Sequence, residues 1–86
     1  MTSDVSAVVD SLSLVERLRL AQLPPPGERR AIREGAGATL REIAAEVGVS
    51  TAAVQRWESG DRGMRREHAI AYRRVLDQLR EVEAGG

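Results

Sequence analysis

The chain has 86 residues, with 13 basic and 13 acidic side chains and a net charge of zero, which is enough for one small domain with a single core. It has no cysteine, so disulfides, thiolate metal sites and a cysteine nucleophile are excluded. It has neither an apolar run of about 18 residues nor a basic segment followed by an apolar one at its start, so we expect no membrane-spanning helix, no signal peptide and a cytoplasmic protein.

The charges are unevenly distributed, and every basic residue is an arginine. Residues 1–28 have a net charge of −2, whereas residues 29–80 contain 11 arginines against 7 acidic side chains and have a net charge of +4. The planar guanidinium group forms paired hydrogen bonds with phosphate and with guanine. The modest basic bias of the larger part permits nucleic-acid binding without requiring it.

The first predicted helix lies within residues 5–22. Apolar residues recur there every three or four positions, as on one face of a helix: Val5, Val8, Val9, Leu12, Val15 and Leu18. Ser13 followed by Glu16 is the pattern of a capping box, so an alternative start lies near residue 13, after a looser segment. The prolines of residues 24–26 end this helix, because proline lacks the amide donor.

Four further helices are predicted over residues 27–35, 40–47, 51–59 and 65–83. Thr39 and Ser50 are start signals, because a hydroxyl at this position accepts a hydrogen bond from the first turn, and glycines follow the helix ends. The last helix has one apolar stripe: Ala69, Tyr72, Val75, Leu76, Leu79 and Val82. No segment alternates with a period of two, so the predicted fold is all-α, a small bundle of about five helices.

Residues 39–60, TLREIAAEVGVSTAAVQRWESG, have the pattern of a helix-turn-helix. The small side chain of Ala44 allows the two helices to cross closely, and Gly48 tolerates the positive φ of a tight turn. The apolar inner positions are Ile43, Val47, Val49, Val54 and Trp57. The positions left to face outwards on the second helix are Thr51, Ala52, Gln55 and Arg56.

Through the motifs TLREIAAEVGVS and TAAVQRWESG, residues 28–80 resemble the Xre/Cro-like, phage-repressor class of helix-turn-helix DNA-binding domains. The resemblance implies a lambda-repressor-like fold, with the helix over 51–59 as a recognition helix in the major groove of double-stranded DNA. Where this family commonly has a phosphate-binding glutamine, the chain has Leu40. Thr39 and the helix N-terminus are then left to meet that phosphate.

Arg56 is the main predicted base contact, because its guanidinium can donate two hydrogen bonds to guanine O6 and N7. Gln55 can read adenine or contact a phosphate, and the methyl groups of Thr51 and Ala52 can pack against thymine. Phosphate contacts that set the register are expected from Thr39, Ser50, Arg62, Arg65 and Arg66. The alternative is that these side chains are merely solvent-exposed, with Arg56 near Ala52 or Glu58, and with Asp61 and Glu67 partly neutralising the arginine cluster.

Other polar and aromatic residues have structural interpretations. Trp57 and Tyr72 are predicted to lie in the core, with the Tyr72 hydroxyl at its rim, and Glu58 is expected to pair with a nearby arginine. His68 is the only histidine and is predicted to lie at the surface or the rim. Without clustered ligands or a catalytic motif, we expect no enzyme activity, no metal site and no cofactor.

We divide the chain into an N-terminal helix at 1–26, a DNA-binding domain at 27–83 and a flexible tail at 84–86. The N-terminal helix either enlarges the core or forms a two-fold contact, and we expect a homodimer at least on DNA, because a monomer on one half-site would bind weakly. The favoured function is a Cro-like repressor acting by operator occupancy, in keeping with a phage or prophage of a GC-rich bacterium. The alternatives are an excisionase-like recombination factor, an antitoxin, and a helix-turn-helix used for protein–protein contact.

Overall fold

The structure is a computed structural model that describes residues 12–61 and 63–85. In these ranges the chain forms five α-helices and no β-strand: α1 Leu14–Leu20, α2 Pro26–Gly35, α3 Leu40–Val47, α4 Thr51–Glu58 and α5 Arg66–Gly85. The prediction of an all-α fold is confirmed. None of the helices in the described ranges is long and apolar enough to span a membrane.

The first helix begins at the alternative start near residue 13. The Ser13 hydroxyl accepts a hydrogen bond from the Glu16 amide at 3.2 Å, and the Glu16 carboxylate accepts one from the Ser13 amide at 3.3 Å. This capping box sets the start of α1 at Leu14, so a single helix over 5–22 is wrong. The part of that prediction before residue 12, with Val5, Val8 and Val9, lies outside the described residues.

The core lies between α2, α3, α4 and α5. Its buried side chains are Ile32, Ile43, Ala44, Ala53, Val54, Trp57, Tyr72, Val75 and Leu76. Val47 and Val49 are partly buried against this cluster, so the predicted inner face of the helix-turn-helix is confirmed. Leu40 also packs against the core, and an apolar side chain at the start of α3 therefore has a structural role.

Helix α5 departs from the prediction at its C-terminal end. It runs to Gly85, so Gly85 is helical rather than part of the predicted tail, and Gly86 lies outside the described residues. Val82 is exposed, because α5, with 20 residues, is longer than the helices of 7 to 10 residues that pack on it. The apolar stripe therefore ends at Leu79, which is partly buried.

Tyr72 lies deeper than predicted. Its ring packs beside that of Trp57, with 5.1 Å between the ring centroids. The hydroxyl is buried without a hydrogen-bond partner in the part of the chain that the structure describes. Burial raises the pKa of Tyr72 to about 12. The prediction that this hydroxyl reaches the rim is therefore wrong, because packing against Trp57 draws the whole ring inwards.

Helix α1 packs on α5 but buries none of its own side chains. Arg73 of α5 donates a hydrogen bond to the carbonyl of Arg19. Val15 and Leu18, which belong to the predicted apolar stripe, are 55% and 45% exposed. With seven residues and α5 as its main neighbour, α1 is too short to enclose them. Enlargement of the core is therefore not the role of these two side chains.

Candidate nucleic-acid interface

Helices α3 and α4 form the helix-turn-helix that the sequence predicts over 39–60. Gly48 ends α3 with a φ of +86°, and the amides of Gly48 and Val49 both donate to the Ala44 carbonyl, at 2.8 and 3.0 Å. The Ser50 hydroxyl then accepts a hydrogen bond from the Ala53 amide at 3.1 Å and starts α4. The positive φ that Gly48 tolerates thus reverses the chain between the two helices.

The four predicted base-contacting residues lie together on the exposed face of α4. At spacings of one, four and five positions, they occupy one side of the helix, opposite the buried Ala53, Val54 and Trp57. They are Thr51, Ala52, Gln55 and Arg56, and all are exposed. This side includes a shallow concavity of about 520 Å³, lined by Ala52, Gln55, Arg56, Ser59 and Asp61.

Arg56 forms an ion pair that the sequence analysis missed. Its Nε lies 3.4 Å from Oδ2 of Asp61, and the two side chains are 61% and 43% exposed. Gly60, with a φ of +99°, turns the chain so that the Asp61 amide donates to the Arg56 carbonyl at 3.0 Å. This Schellman-type end of a helix is typical of a glycine after the last turn. The glycine was the available signal, because such an end brings residue 61 back over residue 56.

Arg33 of α2 binds the last residue of α4. Its Nε lies 2.6 Å from Oε2 of Glu58 and its Nη2 lies 3.0 Å from Oε1, while Nη1 donates to the Ala38 carbonyl at 3.0 Å. The Arg33 and Glu58 side chains are only 13% and 7% exposed. The hydrogen bond to Glu58 raises the pKa of Arg33. The prediction that Glu58 pairs with an arginine is confirmed.

A second arginine of α2 holds the same end of α4. Arg29 donates from Nη1 to the Trp57 carbonyl at 3.0 Å and from Nε to the Pro24 carbonyl at 2.7 Å. The last carbonyls of a helix have no partner within the helix, so a guanidinium placed there satisfies one of them. Arg29 and Arg33 thus fix the C-terminal end of α4 relative to α2.

The predicted phosphate-contacting residues lie at the starts of three helices. At the start of α3, Thr39 forms a capping box with Glu42: its amide donates to Oε1 at 2.9 Å and its hydroxyl accepts from the Glu42 amide at 3.0 Å. The hydrogen bond from the Thr39 amide, together with one from the Thr39 side chain, lowers the pKa of the Glu42 carboxyl group. Ser50 caps α4, whereas Arg65 and Arg66 are exposed where α5 begins. Arg62 lies outside the described residues.

His68 lies at the rim of the core, with its ring centroid 6.1 Å from that of Trp57. Among the residues that the structure describes, no group of three or more histidine, aspartate or glutamate side chains could hold a metal ion. The exposed polar residues of α4 therefore remain the main candidate site.

The sequence matches a family model for the Xre/Cro-like helix-turn-helix over residues 30–82. The match covers more than half of the chain and includes all of α3 and α4. A search of curated proteins and a search of solved structures gave no match.

Proposed function

Because the chain belongs to the Xre/Cro-like helix-turn-helix family of DNA-binding regulators, we propose that it reads a specific sequence of double-stranded DNA with α4. The observation that carries this proposal is the exposed polar face of α4, on a helix whose opposite face is buried and whose end is held by Arg29 and Arg33. Base recognition depends on hydrogen-bond geometry, so a helix fixed in this way is suited to it.

The proposed contacts follow from the chemistry of each side chain. Arg56 would donate to guanine, Gln55 would read adenine or bind a phosphate, and the methyl groups of Thr51 and Ala52 would pack against thymine. Ser50, Thr39, Arg62, Arg65 and Arg66 would bind phosphates and set the register.

We further propose that the protein is a Cro-like repressor. A protein bound at an operator excludes polymerase from that site, and this mode of action needs a DNA-binding surface and no cofactor. It would act on bacterial or phage DNA in the cytoplasm.

We propose that two copies bind one operator, because one such domain contacts a single half-site. Support comes from α1, on which Leu14, Val15 and Leu18 are exposed although apolar. A two-fold contact through this helix would remove these side chains from water in both copies.

The test is selection from a random duplex library at about physiological salt, followed by sequencing of the bound fraction. Enrichment of a two-fold symmetric site would support a dimeric regulator, and its spacing would define the dimer. Enrichment of one short element would support a monomer or a recombination accessory factor instead. Absence of enrichment would overturn sequence-specific binding and favour a protein–protein module.

Three variants then distinguish base recognition from phosphate binding. We expect Arg56→Ala to lose the preference at one base pair. Arg65→Ala should weaken binding to all DNA sequences about equally, and should lower the slope of the logarithm of the binding constant against that of the salt concentration by about one. Arg74→Ala is the matched control, because this arginine is exposed on α5 and outside the proposed contact set. An unchanged sequence preference in Arg56→Ala would contradict the assignment of α4 as the recognition helix.

A further inference from the structure

We propose that Asp61 is a positioning residue that determines specificity: its carboxylate attracts the guanidinium of Arg56 from the Nε side, so that Nη1 and Nη2 are presented together to one guanine. This inference rests on the proposed function and adds a residue to it. The closest approach of the pair is between Nε and Oδ2, at 3.4 Å. In the described ranges, neither Nη1 nor Nη2 of Arg56 donates a hydrogen bond to the protein, so both remain available.

Asp61 is itself fixed at two points, its backbone and its carboxylate. Its backbone amide donates to the Arg56 carbonyl at 3.0 Å, and its Oδ1 accepts a hydrogen bond from the Gly63 amide at 2.9 Å. Oδ1 is therefore engaged with the loop while Oδ2 faces Arg56. An arginine side chain has many rotamers, and holding it in its binding geometry before DNA arrives reduces the entropy lost on binding.

The location of the pair also bears on specificity. Both residues line the concavity on the exposed side of α4. A carboxylate in a surface that meets DNA is repelled by phosphates, so Asp61 weakens binding to every sequence. Its positioning of Arg56 offsets this repulsion only at a site where a guanine accepts hydrogen bonds from the guanidinium. Weaker binding to other DNA sequences and better orientation of Arg56 at the cognate site both increase the preference for the cognate site.

The same pair contributes little to folding. An exposed ion pair is screened by water, and the pair is exposed in the free protein. In a groove closed by DNA the surrounding dielectric is lower, and the attraction between the two charges is stronger. We therefore expect Asp61 to affect the choice of DNA sequence rather than the stability of the fold.

The experiment measures the full chain against two duplexes over a range of salt concentrations. One is the selected site, and the other carries A·T at the G·C pair whose preference Arg56→Ala loses. We expect Asp61→Asn to reduce the preference between them about five- to tenfold, with an unchanged melting temperature and tighter binding to unrelated DNA. Asp77→Asn is the matched control, because Asp77 pairs with Arg73 on α5 at 3.7 Å and the variant removes the same charge.

The double variant tests whether Asp61 acts through Arg56. When Arg56→Ala is already present, Asp61→Asn should leave the preference unchanged. The inference is wrong if Asp61→Asn shifts binding to both duplexes by the same factor. It is also wrong if Asp61→Asn reduces the preference as much in the Arg56→Ala background as in the wild type. A wild-type protein without any sequence preference would overturn the proposed function and this inference with it, whereas a preference retained in Asp61→Asn overturns this inference alone.

Discussion

Helices α1 and α3 begin in the same way but differ in what they bury. Ser13 and Glu16 form the same capping box as Thr39 and Glu42, with all four hydrogen bonds between 2.9 and 3.3 Å. α3 buries side chains in the core, while α1 buries none. Local hydrogen bonds therefore determine where a helix starts, and tertiary burial determines how firmly it is held.

The largest expected difference between the two helices is in their apolar residues. We expect Ile43→Ala in α3 to lower the free energy of unfolding by about 4 kcal/mol, because it leaves a cavity in the core. Leu18→Ala in α1 should lower it by about 0.5 kcal/mol or less, because Leu18 is already exposed. Denaturant titration of both variants measures this difference, and equal losses would mean that α1 is part of the same core.

The next effect concerns the attachment of α4 to α2. Glu58→Gln should lower the free energy of unfolding by about 2 kcal/mol, because it leaves the part-buried Arg33 guanidinium without its counter-charge. Glu34→Gln is the control, because Glu34 pairs with Arg30 in an exposed i,i+4 pair, and it should change stability by about 0.5 kcal/mol or less. Similar melting temperatures for the two variants would contradict the structural role of the Arg33–Glu58 pair.

A smaller effect separates the two caps. Thr39→Ala should lower the free energy of global unfolding by about 1 kcal/mol, since α3 belongs to the core. Ser13→Ala should lower it by less than about 0.5 kcal/mol, because α1 buries none of its side chains and we expect it to open without unfolding the rest. Hydrogen exchange at the amides of α1 should instead become faster in Ser13→Ala. A global loss as large as that of Thr39→Ala would show that α1 unfolds together with the core.

The smallest expected effect is a dependence of the stability of the fold on acidic pH. Because the pKa of Glu42 is lowered in the folded chain, the unfolded chain binds the proton more tightly. The stabilisation from Glu42 is therefore fully present above its unfolded pKa of about 4.3 and is lost as the pH falls through its folded value. The difference in melting temperature between the wild type and Glu42→Gln should be constant near neutral pH and disappear in acid. A difference that grows as the pH falls would have the wrong sign.

Local features of the fold could be predicted from the sequence. The start of α3, the turn at Gly48 and the exposed side of α4 depend on neighbouring residues and on helical period. The ion pair between Arg33 and Glu58 joins residues 25 positions apart, and nothing local selects Arg33 among the 13 arginines. The depth of Tyr72 likewise depends on how α5 packs against Trp57, which composition and period do not specify.

In the candidate site, the residues of α4 could be predicted but their partners could not. Helical spacing alone separates Arg56 and Gln55 from the buried Val54. The partner of Arg56 depends on the path of the chain after Gly60, where a left-handed turn returns Asp61 to the helix. That pairing was readable only by treating the glycine as a Schellman-type end rather than as a simple stop signal.

Trp57 gives the molecule an intrinsic optical probe. It is the only tryptophan of the chain, it lies in α4, and its ring is buried beside Tyr72 and His68. Its emission reports on burial of the inner side of this helix, while DNA would approach the outer side. Binding that leaves α4 in place should therefore preserve the wavelength of maximum fluorescence, whereas loss of packing around the helix should shift it to the red, without any attached dye.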